Sequence, residues 1–109
     1  MAFDEKLAER IRDALGKRNG LAEKRMFGGI AFLLNGNMCV GVHKDALIAR
    51  VDPAETDALL KGTDARRFDL TGRPMKGWIL VGPGGVATKA RLDKWVTRCV
   101  AYAGALPPK

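Results

Sequence analysis

The stretch Arg25–Val51, RMFGGIAFLLNGNMCVGVHKDALIARV, decides the fold. Two β-rich apolar runs, Ile30–Leu34 and Met38–Val42, flank Asn35-Gly36. A type I′ hairpin turn needs φ > 0 at both central residues, and Asn-Gly adopts that at little cost. Lys44-Asp45 then turns the chain into a third run, Leu47–Val51. The pattern predicts a three-stranded antiparallel meander. Strict alternation outward from the turn puts Ala31, Leu33, Met38, Val40 and Val42 on one face. Ile30, Phe32, Leu34, Cys39 and Gly41 go to the other. Both faces are apolar, so helices cover one and the second needs a further element or another subunit. Gly28-Gly29 at the entrance reads as a bend or a close backbone approach.

Upstream, Asp4 is an N-cap with Glu5 in the first turn. Phe3, Leu7, Ala8, Ile11, Ala14 and Leu15 recur at helical spacing, which predicts a helix over Asp4–Leu15 lying on the sheet. Gly16 to Gly20 ends it. Downstream, Asp52-Pro53-Ala54-Glu55 opens a second helix: Asp52 caps it, Pro53 stands at N1, and Glu55 at N3 completes a capping box. That helix runs to Gly62. Arg66–Leu70 reads as a short edge strand, Gly72–Gly77 as a turn and Trp78–Val81 as a last strand. The final helix runs from about Thr88 to Ala103, with Gly104 at its end. Leu92, Val96, Cys99, Val100 and Ala103 form its apolar arc, and Trp95 and Tyr102 stand at the border. The result is one domain over 1–109, an α+β fold with an antiparallel meander sheet and the order α-β-β-β-α-β-β-α.

Charge narrows the partners. The net charge is +7, unevenly spread. Residues 1–72 hold twelve Lys/Arg and eleven Asp/Glu, whereas residues 73–109 hold seven Lys/Arg against Asp93 alone. A basic C-terminal part suits an anionic partner. Arg91, Lys94 and Arg98 fall on one helix face because spacings of three and four return to the same side. With Arg73 and Lys76 they are the candidate residues for that partner. Asp93 points elsewhere on the wheel, so the stripe is expected to carry no acidic neighbour. The bland alternative is the solvated face of an amphipathic helix.

Other chemistry finds little support. His43 is the only histidine, with Asp45 two positions on. No nucleophile is placed beside them. Cys39 and Cys99 lack metal or redox spacing and read as buried thiols in a reducing compartment. Gly82-Pro83-Gly84-Gly85 precedes Thr88-Lys89, but a phosphate loop needs Gly-Lys followed by Ser/Thr. No catalytic residue, metal ligand or cofactor is expected. No apolar run approaches the ~20 residues of a membrane span, and the N-terminus lacks a signal peptide's apolar centre. The expectation is a cytoplasmic protein.

Two strings carry a family resemblance. Arg25-Met26-Phe27-Gly28-Gly29, followed by an apolar strand and an Asn-Gly turn, resembles the signature of the TfoX N-terminal domain, or TfoX/Sxy family. Gly72-Arg73-Pro74-Met75-Lys76-Gly77-Trp78 resembles that family's second signature, and Trp95 in the last helix also fits. The resemblance implies a fold like that of type III secretion chaperones, which commonly dimerise. It implies a regulator of competence, a transcriptional coregulator rather than an enzyme. Such a protein works through protein contacts, with a transcription factor as the candidate partner. Full-length members carry a second, helical C-terminal domain, and this sequence stops at Lys109 before one. The alternative is weak, sequence-independent nucleic-acid binding through the basic C-terminal helix. A homodimer through the sheet or its edge is expected, since both faces of the meander are apolar.

Overall fold

Asn35 and Gly36 have φ of 54° and 83°, the left-handed pair that the hairpin requires. The computed structural model describes residues 4–26, 29–62, 64–67 and 77–108. Around that turn, β2 (Gly29–Leu34) pairs antiparallel with β3 (Asn37–His43), and β3 with β4 (Ala46–Arg50). The second turn, at Lys44-Asp45, places Lys44 at φ 56°. The class is α+β, as the sequence predicts.

The meander has one strand more than predicted. β1 (Leu21–Met26) pairs with β2 from Leu21 opposite Leu34 to Met26 opposite Gly29. Its sequence, LAEKRM, has no β-branched residue, so propensity gives no hint of a strand. Pairing with β2 makes it one. β5 (Ala65–Arg67) and β6 (Trp78–Val81) complete a six-stranded sheet of order β1-β2-β3-β4-β6-β5, antiparallel throughout. β5 is the predicted edge strand, starting one residue early. Residues 68–70 of that prediction lie outside the described residues.

The face assignment also changes. Leu34 pairs with Asn37 and Leu33 with Met38, but the next pair is Phe32 with Val40. Cys39 is the extra residue of a β-bulge, and a one-residue slip moves every later side chain to the opposite face. Val40 and Val42 therefore join Ile30 and Phe32 rather than Ala31 and Leu33. Gly29 and Gly41 are needed beside this hairpin. A Cβ on Gly29 would run into the Val42 carbonyl, and one on Gly41 would come within 2.6 Å of the Ile30 carbonyl.

The core lies between this face and two helices. α1 (Glu5–Leu15) contributes Leu7, Ala8, Ile11 and Leu15, and α3 (Lys89–Ala105) contributes Leu92, Val96, Cys99 and Ala103. They pack on Ile30, Phe32, Val40, Val42, Leu47, Ala49, Ile79 and Val81. Phe32 is fully buried, which stabilises the fold by roughly 1.5–3 kcal/mol. Asp4 caps α1 as predicted, accepting from the Leu7 amide at 3.1 Å. Thr88 caps α3 through the Arg91 amide at 3.2 Å.

The second helix is shorter than predicted. Asp52 accepts from the Ala54 amide, and Pro53–Glu55 forms a 3-10 turn before α2 (Thr56–Leu59). On the far face of the sheet, Ala46, Ile48 and Leu80 form a separate buried cluster with Met38 and Trp78 against it. No helix of the described residues is long and apolar enough to cross a membrane.

Candidate functional site

α3 packs over β2, β3 and β4. Its core arc fixes the rest of the wheel at 100° per residue. Lys94, Ala101 and Ala105 point outward, opposite the core. Arg91, Trp95, Arg98 and Tyr102 occupy the flank that overlooks β6, β5 and the Asp52–Glu55 turn. Trp95 is half-buried and packs against the core, and Tyr102 is half-buried too, so the predicted border positions hold.

The predicted cationic stripe is not free of acid. Arg98 donates from Nη1 to Glu55 Oε2 at 3.0 Å, an ion pair whose side chains are 35% and 50% exposed. This overturns the expectation that the stripe has no acidic neighbour. The reason is tertiary: the Asp52–Glu55 turn is brought against α3 from 43 positions away. It also explains why the capping box stays open, because the Glu55 carboxylate goes to Arg98. Arg91 donates to the Gly84 carbonyl at 2.9 Å, which fastens the Pro83–Val86 turn to the first turn of the helix. Asp93 pairs with Lys89 at 2.8 Å. That hydrogen bond raises the Lys89 pKa. Lys94 is exposed at the centre of the outward face. Arg73 and Lys76, the other two candidates, lie outside the described residues.

Between the Asp52–Glu55 turn and α3 runs an open groove of about 720 Å3. One wall is acidic, from Asp52 and Glu55. The other is α3, where Asp93 stands among Lys94, Thr97, Arg98 and Ala101, with Tyr102 at the end. Beyond Tyr102 stands Arg50: its guanidinium carbon lies 5.3 Å from the Trp78 ring centroid and 5.8 Å from that of Tyr102. A cation over aromatic faces contributes about 0.5–1 kcal/mol at an exposed site. Sequence reasoning missed Asp52 and Glu55 as parts of this surface, and Arg50 beside it. Asp52 and Glu55 read there as a helix start, and Arg50 stood inside a strand. The signal that was present is Arg50's period-2 position beyond Ile48, on the face of Trp78, its cross-strand partner.

The family-like strings carry structure where they are described. Gly29 makes the close approach to β3 already noted. Arg25 is exposed on β1. Met26 ends that strand, and Phe27 and Gly28 lie outside the described residues, as do Gly72, Pro74 and Met75. Gly77 sits at φ 86°, donates its amide to the buried Thr56 hydroxyl at 2.8 Å, and accepts from Val51 at 2.8 Å. A Cβ there would stand 3.1 Å from the Val51 carbonyl. The end of the second string therefore anchors β6 to α2 and β4.

His43 ends β3, half-buried, and Asp45 is exposed in the following turn. Cys39 and Cys99 are free thiols, both fully buried in the core. Burial pushes the Cys39 thiol up to about 11, offset in part by Arg18. Cys99 is raised further, by burial first and then by its proximity to Cys39. Thiols held protonated in this way are poor nucleophiles at neutral pH. Among the described residues, no three His, Cys, Asp or Glu side chains converge as metal ligands would.

Residues 13–103 match the family model of the TfoX N-terminal domain. Comparison with curated proteins and with solved structures gives no match. The matched span takes in all six strands, most of α3 and the last turn of α1, so the sheet and α3 carry the likeness. The chain belongs to the TfoX N-terminal domain family.

Proposed function

We propose that this chain is a non-enzymatic regulatory module of the competence and transcription-coregulator type, cytoplasmic, acting through protein contacts made by the exposed side of α3. Family membership supports the regulatory part. The observation that carries the protein-contact part is the engagement of the cationic stripe. Arg98 is tied to Glu55 and Arg91 to the Gly84 carbonyl. A phosphate-binding surface needs cations that release counterions when a polyanion arrives. Here one of the three is already neutralised, and the surface alternates acid, cation and small residue as a protein interface does. A transcription factor remains the candidate partner. The module acts as a homodimer, a reading supported by the half-buried Leu33, Met38 and Trp78 on the far face of the sheet.

Nucleic-acid binding is the second reading, favoured by the net charge of +7. Retention on a short duplex at low salt separates the two. Under the protein-contact reading the duplex is not retained at about 50 mM salt. Retention that falls steeply toward 200 mM salt, and is lost in an Arg91→Glu/Lys94→Glu/Arg98→Glu protein, overturns it. Sedimentation at micromolar concentration tests the dimer, and a clean 11.8 kDa monomer removes it.

A further inference from the structure

The solvent sides of the two long helices are built differently. α1 exposes Glu5, Lys6, Glu9, Arg12 and Asp13, a charged face of the ordinary solvated kind. The outward face of α3 exposes Ala90, Lys94, Thr97, Ala101 and Ala105, four small side chains and one charge. Their spacings of four, three, four and four make a continuous stripe down the helix. Side chains this small let a second helix approach to the short end of the roughly 8–10 Å range of interaxial distances. The stripe is the floor of the groove of about 720 Å3, and the Asp52–Glu55 turn is its raised wall. That wall runs alongside α3 in the opposite sense, since Arg50 meets the Tyr102 ring at 5.8 Å and Glu55 meets Arg98 at 3.0 Å. Asp52 therefore stands between those two levels, and Lys94 lies one turn beyond Arg98 toward the N-terminus of α3.

The charges left over in the groove select the occupant. Glu55 is taken by Arg98, and Asp93 by Lys89. Asp52 accepts from the Ala54 amide at 2.9 Å, and Lys94 is exposed; among the described residues neither makes an ion pair. The groove thus offers one carboxylate and one ammonium without opposite charges, about 9 Å apart along the axis of α3 at 1.5 Å per residue. On an α-helix, positions i and i+7 share a face and lie about 10.5 Å apart, which matches that separation. An extended strand finds no backbone partner on a helical floor, whereas a helix satisfies its own N–H and C=O groups. A phosphate backbone brings no cation for Asp52. We propose that this groove seats an α-helix of a partner protein, alanine-rich along its contacting face, with a Lys or Arg and a Glu or Asp seven positions apart. The base meets Asp52, the acid meets Lys94, and the two small faces close between them. This rests on the protein-contact reading and names the chemistry of the partner.

The test is a nuclear magnetic resonance titration of the 15N-labelled full chain with a blocked peptide of alanine and glutamine. Its length is about 20 residues, enough to be helical in water, and it carries one lysine and one glutamate seven positions apart. Two controls carry two lysines or two glutamates at those positions. The expected result is shifts at Lys94, Thr97, Ala101 and Ala105 and in the Asp52–Glu55 turn, with the mixed-charge peptide bound most tightly. Asp52→Asn keeps the oxygen that caps the turn and removes the charge. It weakens the mixed-charge peptide about threefold, the size of one exposed ion pair, and strengthens the two-glutamate peptide. Ala101→Trp fills the floor and weakens binding about tenfold. Ala101 is exposed, so this variant keeps the fold, and its own amide spectrum verifies that. Equal binding of the three peptides overturns the proposal, as does the absence of shifts at millimolar peptide. Shifts confined to Arg91 and Trp95, on the flank toward β5, overturn it too, while leaving the protein-contact reading in place. If Ala101→Trp turns a sedimenting dimer into a monomer, the occupant is a second copy of this chain and the proposal falls. If a DNA duplex moves the groove signals and no peptide does, both readings fall together.

Discussion

The two edges of the sheet are finished in different ways. β1 is six residues long and bears Glu23, Lys24 and Arg25. Its Glu23 carboxylate is gripped by Arg12 of α1, with contacts at 3.0, 2.9 and 2.8 Å, and Arg12 stands 5.9 Å from the centroid of the Phe32 ring. Charges along an edge strand discourage a stranger from pairing with it. β5 is three residues long, and only one flank of α3, at Arg91, Lys94 and Trp95, stands across from it. A long edge invites aggregation and is guarded by charge and by a helix. A short edge is less exposed to that hazard.

The largest expected effect is at the guarded edge. Phe32 lies under the Arg12–Glu23 pair and is fully buried. Phe32→Ala is expected to cost about 3–5 kcal/mol, because it removes buried area and leaves a cavity beneath β1. Urea unfolding measures it. A loss below 1 kcal/mol would show that the α1–β1 corner can collapse onto the gap, and that the guarded edge is looser than its packing says.

The next effect is on the β5–β6 side. Thr56→Val keeps the shape but removes the acceptor for the Gly77 amide. An unsatisfied buried donor costs about 1–3 kcal/mol. The β6 amides should lose hydrogen-exchange protection while those of β1 and β2 keep theirs. Equal loss at both edges would mean that the sheet opens as one unit, and the contrast drawn between them would fail.

Between the edges lie the two thiols. The Cys39 pKa is raised to about 11 from an ordinary 9.0. The folded state therefore keeps a proton that the unfolded chain gives up. Its contribution is fully present below about pH 9 and is lost as pH rises toward 11. The expected loss is on the order of 1 kcal/mol by about pH 10. Cys39→Ser and Cys99→Ser variants should flatten the alkaline limb of the stability curve. Alkylation at pH 8 should proceed only on unfolding, and rapid labelling of the native protein would contradict the burial.

How legible was all this in the sequence? Asn35-Gly36 announced its turn because that turn type demands φ > 0 at two successive positions, and few other dipeptides tolerate it. The caps at Asp4 and Asp52 were equally local and equally readable. The Cys39 bulge was not, since it adds a residue without any glycine or proline to mark it. β1 was hidden because a charged run becomes a strand only when β2 is there to pair with it. The surface on α3 was half legible. Helical spacing put Arg91, Lys94 and Arg98 together, but periodicity within one helix carries no information about Glu55, which a separate turn delivers to Arg98. Arg73 and Lys76 lie outside the described residues.

The smallest effects compare the two ion pairs that flank these edges. Arg12–Glu23 and Glu55–Arg98 both join a helix to a distant segment, with every side chain at least one-third exposed. Solvent screens such pairs, and exposed ones contribute about 0.2–1 kcal/mol. They are not equivalent, however. Arg12 engages both oxygens of Glu23, and the bidentate fork adds geometric fit to charge. The hydrogen bond to Glu23 is also the first cause of the raised Arg12 pKa. Glu55–Arg98 rests on one contact of 3.0 Å in an open groove. A double-mutant cycle on Arg12 and Glu23 should therefore return the larger coupling, and one on Glu55 and Arg98 should lie near the lower bound. Raising the salt concentration should shrink both, because the pairs are exposed. If Glu55–Arg98 proves the stronger, the Asp52–Glu55 turn is held to α3 more firmly than one contact implies, and the groove between them is rigid rather than adjustable.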